Sequence, residues 1–518
     1  MSVLSRVLLA GLLVLVVGPA RAASGPFAEA MTLLSEELVG EAVPLVEELE
    51  RREPDSVDTR LLRARLLYMQ GRYQDAVDAI ERAREAGAIP RQWRGFEEQV
   101  RSTLQVVRGF KAVPTSRGNF VLHVPPGVDE VLIPYADQAM EAAWDAYGDL
   151  FGYRPSEPVR IEVYPRVEDL AAVSTLSVED IQNSGTIALC KYNRLMITSP
   201  RDLLYGYDWL DTLAHEYIHF VITKRSRNRV PIWLQEGLAK FFENRWREKG
   251  DARLETSSED LLARNLAKGR LITFEEMSPS MAKLPTQEDA ALAFAEVFMA
   301  MRYIHQSVGP QGINTMIDVM RDGGSDREAI ERVMDTSFSR FQADWRKYLG
   351  QAGLRTMPAA WSPKLYFRNK DKSGDELEEI GAEKARRHTY LGDRLRAMER
   401  HGAAVKEYAK AIDVVGESPI VAAKLAAALN ALGRWTDALD ALAPVLKAEP
   451  DYVLIWLHLG KARLNTGDAA GAAEAFEAAV RLNPFDPDAH VGLANAYEKL
   501  GRTEDAARER AQVALLAQ

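Results

Sequence analysis

The sequence predicts an α+β domain in the middle of the chain with an all-α segment on either side. Three observations carry this. Short runs of period-two alternation cluster between residues 120 and 198. Helical periodicity replaces them, opening with a helix that bears two histidines four residues apart. The final third repeats itself every 34 residues, the spacing of stacked helical pairs.

At the N-terminus, Arg6 precedes the apolar run Val7–Val17, and Gly18-Pro19-Ala20-Arg21-Ala22 follows. A basic residue, a short apolar stretch and an A-x-A ending make residues 1–22 an expected signal peptide. The run is shorter than the about 20 residues a membrane span needs, and no later stretch reads as a span. No cysteine lies near the cleavage point to take a lipid. The expectation is therefore an exported chain, periplasmic or secreted from a bacterial envelope. Residues 27–110 read as helical. Within them Arg60–Gly71 and Arg72–Gly87 form a hairpin, with Ala64, Leu67, Gly71, Ala76, Ile80 and Ala83 at the positions where paired helices touch.

Residues 112–350 hold the α+β domain. Strands are predicted at Phe120–Val124, Val159–Tyr164 and Arg194–Thr198, each closed by proline or serine-proline, with a helix over about 131–151. His123 inside the first strand reads as a core or edge histidine. Residues 185–188 or 195–198 are the candidate strand for pairing with an extended substrate. Helices follow at 258–268, 290–307, 312–321, 327–334 and 339–349.

The chemistry concentrates in His215-Glu216-Tyr217-Ile218-His219, inside an apolar helix that contains Leu213, Phe220, Val221 and Ile222. Histidines four apart project from one face of a helix and reach a single tetrahedral Zn2+. Glu216 points elsewhere, close enough to take a proton from a metal-activated water. A catalytic zinc takes three protein ligands and keeps one position open. The third is expected in Pro231-Ile-Trp-Leu-Gln-Glu-Gly-Leu-Ala-Lys-Phe-Phe-Glu243, where a helix returning antiparallel brings Glu236 to the metal. Gly237 and Ala239 allow close helix approach there. Glu243, two turns on, can hold the other N–H of a ligand histidine.

HEYIH followed by WLQEGLAKFFE resembles the gluzincin branch of metallopeptidases, specifically the peptidase MA-like domains found beside tetratricopeptide repeats in envelope proteins. The resemblance spans roughly residues 114–349. It implies a zincin-like fold, zinc ligands His215, His219 and Glu236, and Glu216 as general base. It also implies a hydroxyl or imidazole donor for the oxyanion, from a helix after the glutamate ligand. The matching helix has Phe294 where related domains show tyrosine, and Phe294 has no donor. Tyr303, His305 and Tyr217 are the nearest alternatives; Tyr303 and His305 read equally well as core and rim residues. The G-x-M-E-N strand that anchors an α-amine in aminopeptidases of this branch is absent, which favours an endopeptidase.

Composition sets the remaining bounds. The 518 residues correspond to about three domains. A net charge of −10 argues against nucleic acid or an anionic membrane surface as partner. Cys190 is the lone cysteine, so no disulfide forms within the chain, and a lone cysteine reads as a small apolar residue. Residues 351–382, with Pro358, Pro363 and the charge run 368–375, read as a linker packed through Trp361, Tyr366 and Phe367.

Residues 383–518 form the repeat array. Ala404, Ala438, Ala472 and Ala506 are 34 apart, as are Gly433, Gly467 and Gly501, and Pro450 and Pro484. This is the tetratricopeptide unit, with three clear repeats and a weaker first one from about Glu383. Such an array offers a concave groove for a protein or peptide, or serves only as a spacer or dimerisation module. Because repeats contact mainly their neighbours, it is expected to separate from the residues before about Gly350. The sequence thus points to an exported zinc endopeptidase whose repeats recruit a protein or peptide. The alternative is a non-catalytic envelope assembly scaffold with a structural or vestigial zinc site. The intact Glu216 favours the enzyme.

Overall fold

The computed structural model describes residues 25–248, 252–278, 281, 284–357, 365–368, 376–448 and 452–518. The expected signal peptide, Trp361 and Pro450 lie outside the described residues. The chain divides into two compact units, one of residues up to Val106 with Ala171–Glu179, the other of Val107–Leu170 with Asp180–Gln518.

The first unit is helical: α1 (Pro26–Ser35), α2 (Val39–Arg52), α3 (Val57–Met69), α4 (Tyr73–Ala86) and α5 (Arg94–Val106). Ser56 caps α3 by accepting from the Thr59 N–H at 3.3 Å. Gly71 takes φ 73°, a left-handed turn that glycine adopts without strain, and the chain doubles back into α4. Ala64, Ala76, Ile80 and Ala83 are all fully buried, as the predicted hairpin requires.

The second unit begins with a five-stranded sheet: β1 (Lys111–Pro114), β2 (Phe120–Val124), β3 (Val159–Tyr164), β4 (Ala188–Lys191) and β5 (Arg194–Thr198), in the order β1-β2-β3-β5-β4. The crossover helix α6 (Ile133–Phe151) makes β2 and β3 parallel. β3 and β5 are also parallel, while β1 and β4 run antiparallel at the two edges. The candidate substrate strand is corrected here. Leu195–Thr198 lies inside the sheet, paired on both sides, and the free edge is β4, beginning at Ala188. Glu162 and Arg194 are both buried in the sheet and pair at 3.0 Å, so polar residues mark no solvent face there.

The short helices α7 (Val167–Val173) and α8 (Val178–Ser184) link β3 to β4. After the sheet come α9 (Trp209–Ser226), α10 (Ile232–Phe242), α11 (Thr256–Ala267), α12 (Gln287–Arg321), α13 (Asp326–Met334) and α14 (Phe338–Gln351). α12 is two helices run together, broken at Gly309 (φ 64°, ψ −175°) before Pro310, within the gap predicted between 307 and 312. Gly237 permits the close approach of α10 and α12: a Cβ there would stand 2.8 Å from Met301 and 3.2 Å from the Val297 carbonyl.

Four antiparallel pairs complete the unit: α15 (Glu383–Ala397) with α16 (His401–Val415), α17 (Pro419–Ala431) with α18 (Trp435–Leu446), α19 (Val453–Thr466) with α20 (Ala469–Leu482), and α21 (Pro487–Lys499) with α22 (Thr503–Leu516). The 34-residue pattern has a direct physical cause. Gly433, Gly467 and Gly501 take φ of 70°, 91° and 74° at the turn inside each of the last three pairs, and the periodic alanines are buried where the paired helices meet.

The expected independence of the array is not what the structure shows. The Tyr207 N–H donates to the Leu482 carbonyl at 2.9 Å. The Tyr135 hydroxyl donates to Glu509 at 2.6 Å, and Glu509 and His490 pair at 2.8 Å with both side chains fully buried. The Tyr205 ring packs 5.1 Å from Tyr452, and both hydroxyls reach Glu376. Residues 203–208, which lead into α9, are thus seated on the repeats. Tyr366 and Phe367 of the linker pair with the same loop, through the Leu204 N–H to the Tyr366 carbonyl and a bridge between Leu203 and Phe367.

Candidate metal centre

α9 is a long helix because Asp208 caps it, its carboxylate accepting from the Asp211 N–H at 3.2 Å, and because apolar residues surround it on most sides. His215 and His219 stand one turn apart on it, their Nε2 atoms 3.1 Å from each other. Arg227 and Asn228 take φ of 56° and 55°, turning the chain so that α10 returns along α9. That return places Glu236 Oε2 at 3.3 Å from both Nε2 atoms. In a tetrahedral zinc site with bonds of about 2.0–2.1 Å, ligand atoms lie about 3.3–3.4 Å apart. The triangle of 3.1, 3.3 and 3.3 Å fits that edge, and two imidazoles with one carboxylate are a donor set suited to zinc. Among the described residues these three form a group able to hold a metal ion.

The electrostatics follow from this crowding. Burial disfavours the charged form of His215, but hydrogen bonds to Glu236 and Glu243 override it and push the imidazole up to about 10. Burial alone would raise Glu236; the two histidines more than reverse it and hold its carboxyl far below the usual range. The arrangement favours positive charge among these carboxylates.

Glu243 Oε2 lies 3.0 Å from His215 Nδ1. It is itself held by Lys240 at 2.6 Å, and Lys240 by Glu255 at 2.7 Å. A carboxylate on Nδ1 fixes the tautomer that leaves Nε2 free for a metal. Glu216 is buried, and burial raises its carboxyl above the ordinary range, opposed by the two histidines and by a hydrogen bond from the Cys190 backbone. That bond ties Glu216 to edge strand β4, so Cys190 matters here through its backbone.

The candidate oxyanion donors are placed elsewhere. Tyr217 is enclosed by Phe120, Trp144 and Tyr147, and its hydroxyl has no partner among the described residues. Tyr303 stacks on Phe341 and Tyr348, and His305 packs on Phe241 and Phe242. None of these contacts is with His215, His219 or Glu236. The residue at the site is Phe294, its ring centroid 6.3 Å from that of His215. His123 on β2 lies outside the ligand group, pushed down to about 4 by burial and by Arg160.

A charge network at the start of α9 was not predicted. Asp211 accepts from Trp246 Nε1 at 2.9 Å and from Arg247 Nε at 3.0 Å. Burial and the neighbouring Asp211 carboxylate push Asp208 up to about 7. Arg481 of α20 approaches Asp208 at 2.9 Å, a charge contact rather than a hydrogen bond. The D-x-x-D pattern before an apolar run was a legible helix start. Nothing in the sequence tied Arg481 to it.

Two histidines of an H-E-x-x-H helix and a glutamate of the next helix form a group able to hold a metal ion, in a chain that also carries a small mixed sheet and helical repeats. Residues 139–351 match the family model described as Peptidase MA superfamily, and residues 27–88, 424–487 and 457–518 match the tetratricopeptide repeat model. The chain thus carries a Peptidase MA superfamily domain together with tetratricopeptide repeats. It is similar to Small glutamine-rich tetratricopeptide repeat-containing protein 2 of Mycosarcoma maydis, 29% identical over 109 residues, 21% of this chain and 31% of that protein. Similarity to Protein FlbA of Caulobacter vibrioides (strain ATCC 19089 / CIP 103742 / CB 15) is 27% over 254 residues, 44% of this chain and 41% of that protein. The chain therefore spans less than half the length of these relatives. Among solved structures, "MamA MSR-1 C2" is 22% identical with a TM-score of 0.24, covering 27% of this chain and 83% of that one.

Proposed function

We propose that this protein is an exported zinc-dependent endopeptidase of zincin-like fold. Residues 112–350 are its catalytic domain, 27–110 and 383–518 its repeat segments, and 351–382 the connection between domain and array. The observation that carries the reading is the convergence of His215, His219 and Glu236 with spacing that suits zinc, beside the buried Glu216. The apolar run of residues 7–17 with its A-x-A ending supports export. Bound zinc would supply Lewis acidity to a substrate carbonyl and lower the pKa of a water toward neutrality. His215, His219 and Glu236 would hold the ion, and Glu243, backed by Lys240, orients His215. Glu216, its basicity raised by burial, takes a proton from the attacking water and returns it to the leaving amine. Edge strand β4 beside Glu216 is placed to pair with an extended substrate backbone.

Incubating the full chain with an unbiased peptide library, with and without a chelator, and repeating it with Glu216→Gln, tests this reading. Chelator-sensitive cleavage that Glu216→Gln abolishes is the expected result. One observation favours a second reading, a repeat-based scaffold with a vestigial site: Phe294 faces His215 where the family resemblance calls for a hydrogen-bond donor. Full rescue of an envelope phenotype by Glu216→Gln would establish that reading instead.

A further inference from the structure

A chamber of about 950 Å3 lies against the His215 side of the metal centre. Its walls include Glu243, which holds His215, and Thr212, one turn before His215 on α9. Phe298 and Arg302 continue along α12 the face that begins with Phe294 at the His215 ring. The segment 252–257 forms a further wall, and the repeats contribute Ala448, Trp456 and Arg481. The wall from the repeats is fixed, because the loop entering α9 is hydrogen-bonded to Leu482 and seated against Tyr452.

The chamber is lined by five carboxylates and five cations, balanced in number but not in pairing, since three of the cations hold all five carboxylates. Its carboxylates are all paired: Asp208 with Arg481, Asp211 and Glu248 with Arg247, and Glu243 and Glu255 with Lys240. Arg253 and Arg302 also line the chamber and form no close ion pair among the described residues, Arg302 standing only in the longer-range field of Glu259. Two guanidinium groups in a walled recess attract carboxylates and bind them in a fork geometry. Arg302 follows Phe294 by eight residues, about 12 Å along a helix. An extended chain covers that in three or four residues at about 3.3–3.6 Å each.

We infer that this chamber receives an extended, acidic segment of polypeptide, that Arg302 with Arg253 reads a carboxylate three or four residues from the scissile bond, and that the repeats are a wall of the binding cleft. The inference rests on the peptidase reading for what happens to the segment, and on the chamber alone for what is bound.

Binding to the full chain tests it. A fluorescein-labelled, unstructured ten-residue peptide rich in glutamate is compared by anisotropy with its glutamine counterpart, with and without added zinc. The acidic peptide should bind at least tenfold more tightly at low salt, and the difference should shrink as salt rises. Arg302→Gln should remove most of that preference and Arg302→Lys should keep part of it. Trp456→Ala should weaken both peptides without changing the preference, with Trp456→Phe intermediate should the alanine variant unfold. Equal binding of the two peptides, or acid preference retained in Arg302→Gln, overturns the assignment of the chamber. Trp456 variants that fold and bind as wild type overturn the role of the repeats. Acid-selective binding by a zinc-loaded protein that cleaves nothing would sink the peptidase reading and leave this one standing; cleavage without acid preference would do the reverse.

Discussion

Replacing Gly206 by alanine is the sharpest probe of how the array is joined to the Peptidase MA domain. Gly206 has φ 69°, where an L-residue loses about 1–2 kcal/mol. Its added Cβ would stand 2.0 Å from the Leu482 carbonyl oxygen, where ordinary contact is 3.4–4 Å. The loop and α20 must therefore part by about 1.4 Å, since a backbone carbonyl cannot rotate away as a side chain would. Parting breaks the adjacent bond from the Tyr207 N–H to the same carbonyl, leaving a buried pair unsatisfied at about 1–3 kcal/mol. The total is about 2–5 kcal/mol. Gly269→Ala is the matched control, with the same φ of 69° and nothing within 4 Å of the added Cβ, so it should cost only the about 1–2 kcal/mol of backbone strain. Urea unfolding followed by tryptophan fluorescence reads both, and a second transition in Gly206→Ala would report the array coming loose. If the two variants fall within about 0.5 kcal/mol of each other, the junction is not the tight contact described here.

Four further outcomes follow from the centre and its surroundings. His215→Ala, His219→Ala and Glu236→Ala should each lose most bound zinc, measured by elemental analysis, whereas Glu243→Ala should weaken zinc by about 10–100-fold; zinc retained in Glu236→Ala but lost in Glu243→Ala would reassign the third ligand. Glu216→Gln should keep zinc and lose turnover by at least about 10²–10⁴-fold on any peptide the wild type cleaves. Phe294→Tyr should raise turnover without changing zinc content, because it adds a hydroxyl beside His215; no gain would mean the oxyanion donor lies elsewhere. Burial raises the carboxyl of Glu296 to about 8, with one oxygen bonded to the Ile272 N–H and the other without a partner among the described residues. Its folded pKa lies above the unfolded value, so its burden on stability is absent below about pH 4.5 and grows as pH rises to about 8. Glu296→Gln should then stabilise the protein by less than about 1 kcal/mol near pH 5 and by a few kcal/mol near pH 8, read from urea unfolding at each pH.

Features under local rules could be read from the residues alone. Helix and strand positions followed from period, and the common face of His215 and His219 followed from the fixed geometry of residues four apart on a helix. The repeat register followed from glycines that recur because a left-handed turn recurs. Glu243 was legible for the same reason, lying two turns beyond Glu236 on one helix. Contacts between residues distant in the chain left no such trace. Arg481 and Asp208 meet only because the array is docked, and no period or motif links a loop at 203–208 to a carbonyl at Leu482. Edge strand β4 is short, and its role depends on which strand lies outermost, which pairing decides and alternation does not. Tyr303 and His305 looked available because they share a helix with Phe294, but that helix turns each face toward a different neighbour. Only the packed structure shows that Phe294 faces the metal centre, while Tyr303 and His305 are spent on Phe341, Tyr348, Phe241 and Phe242.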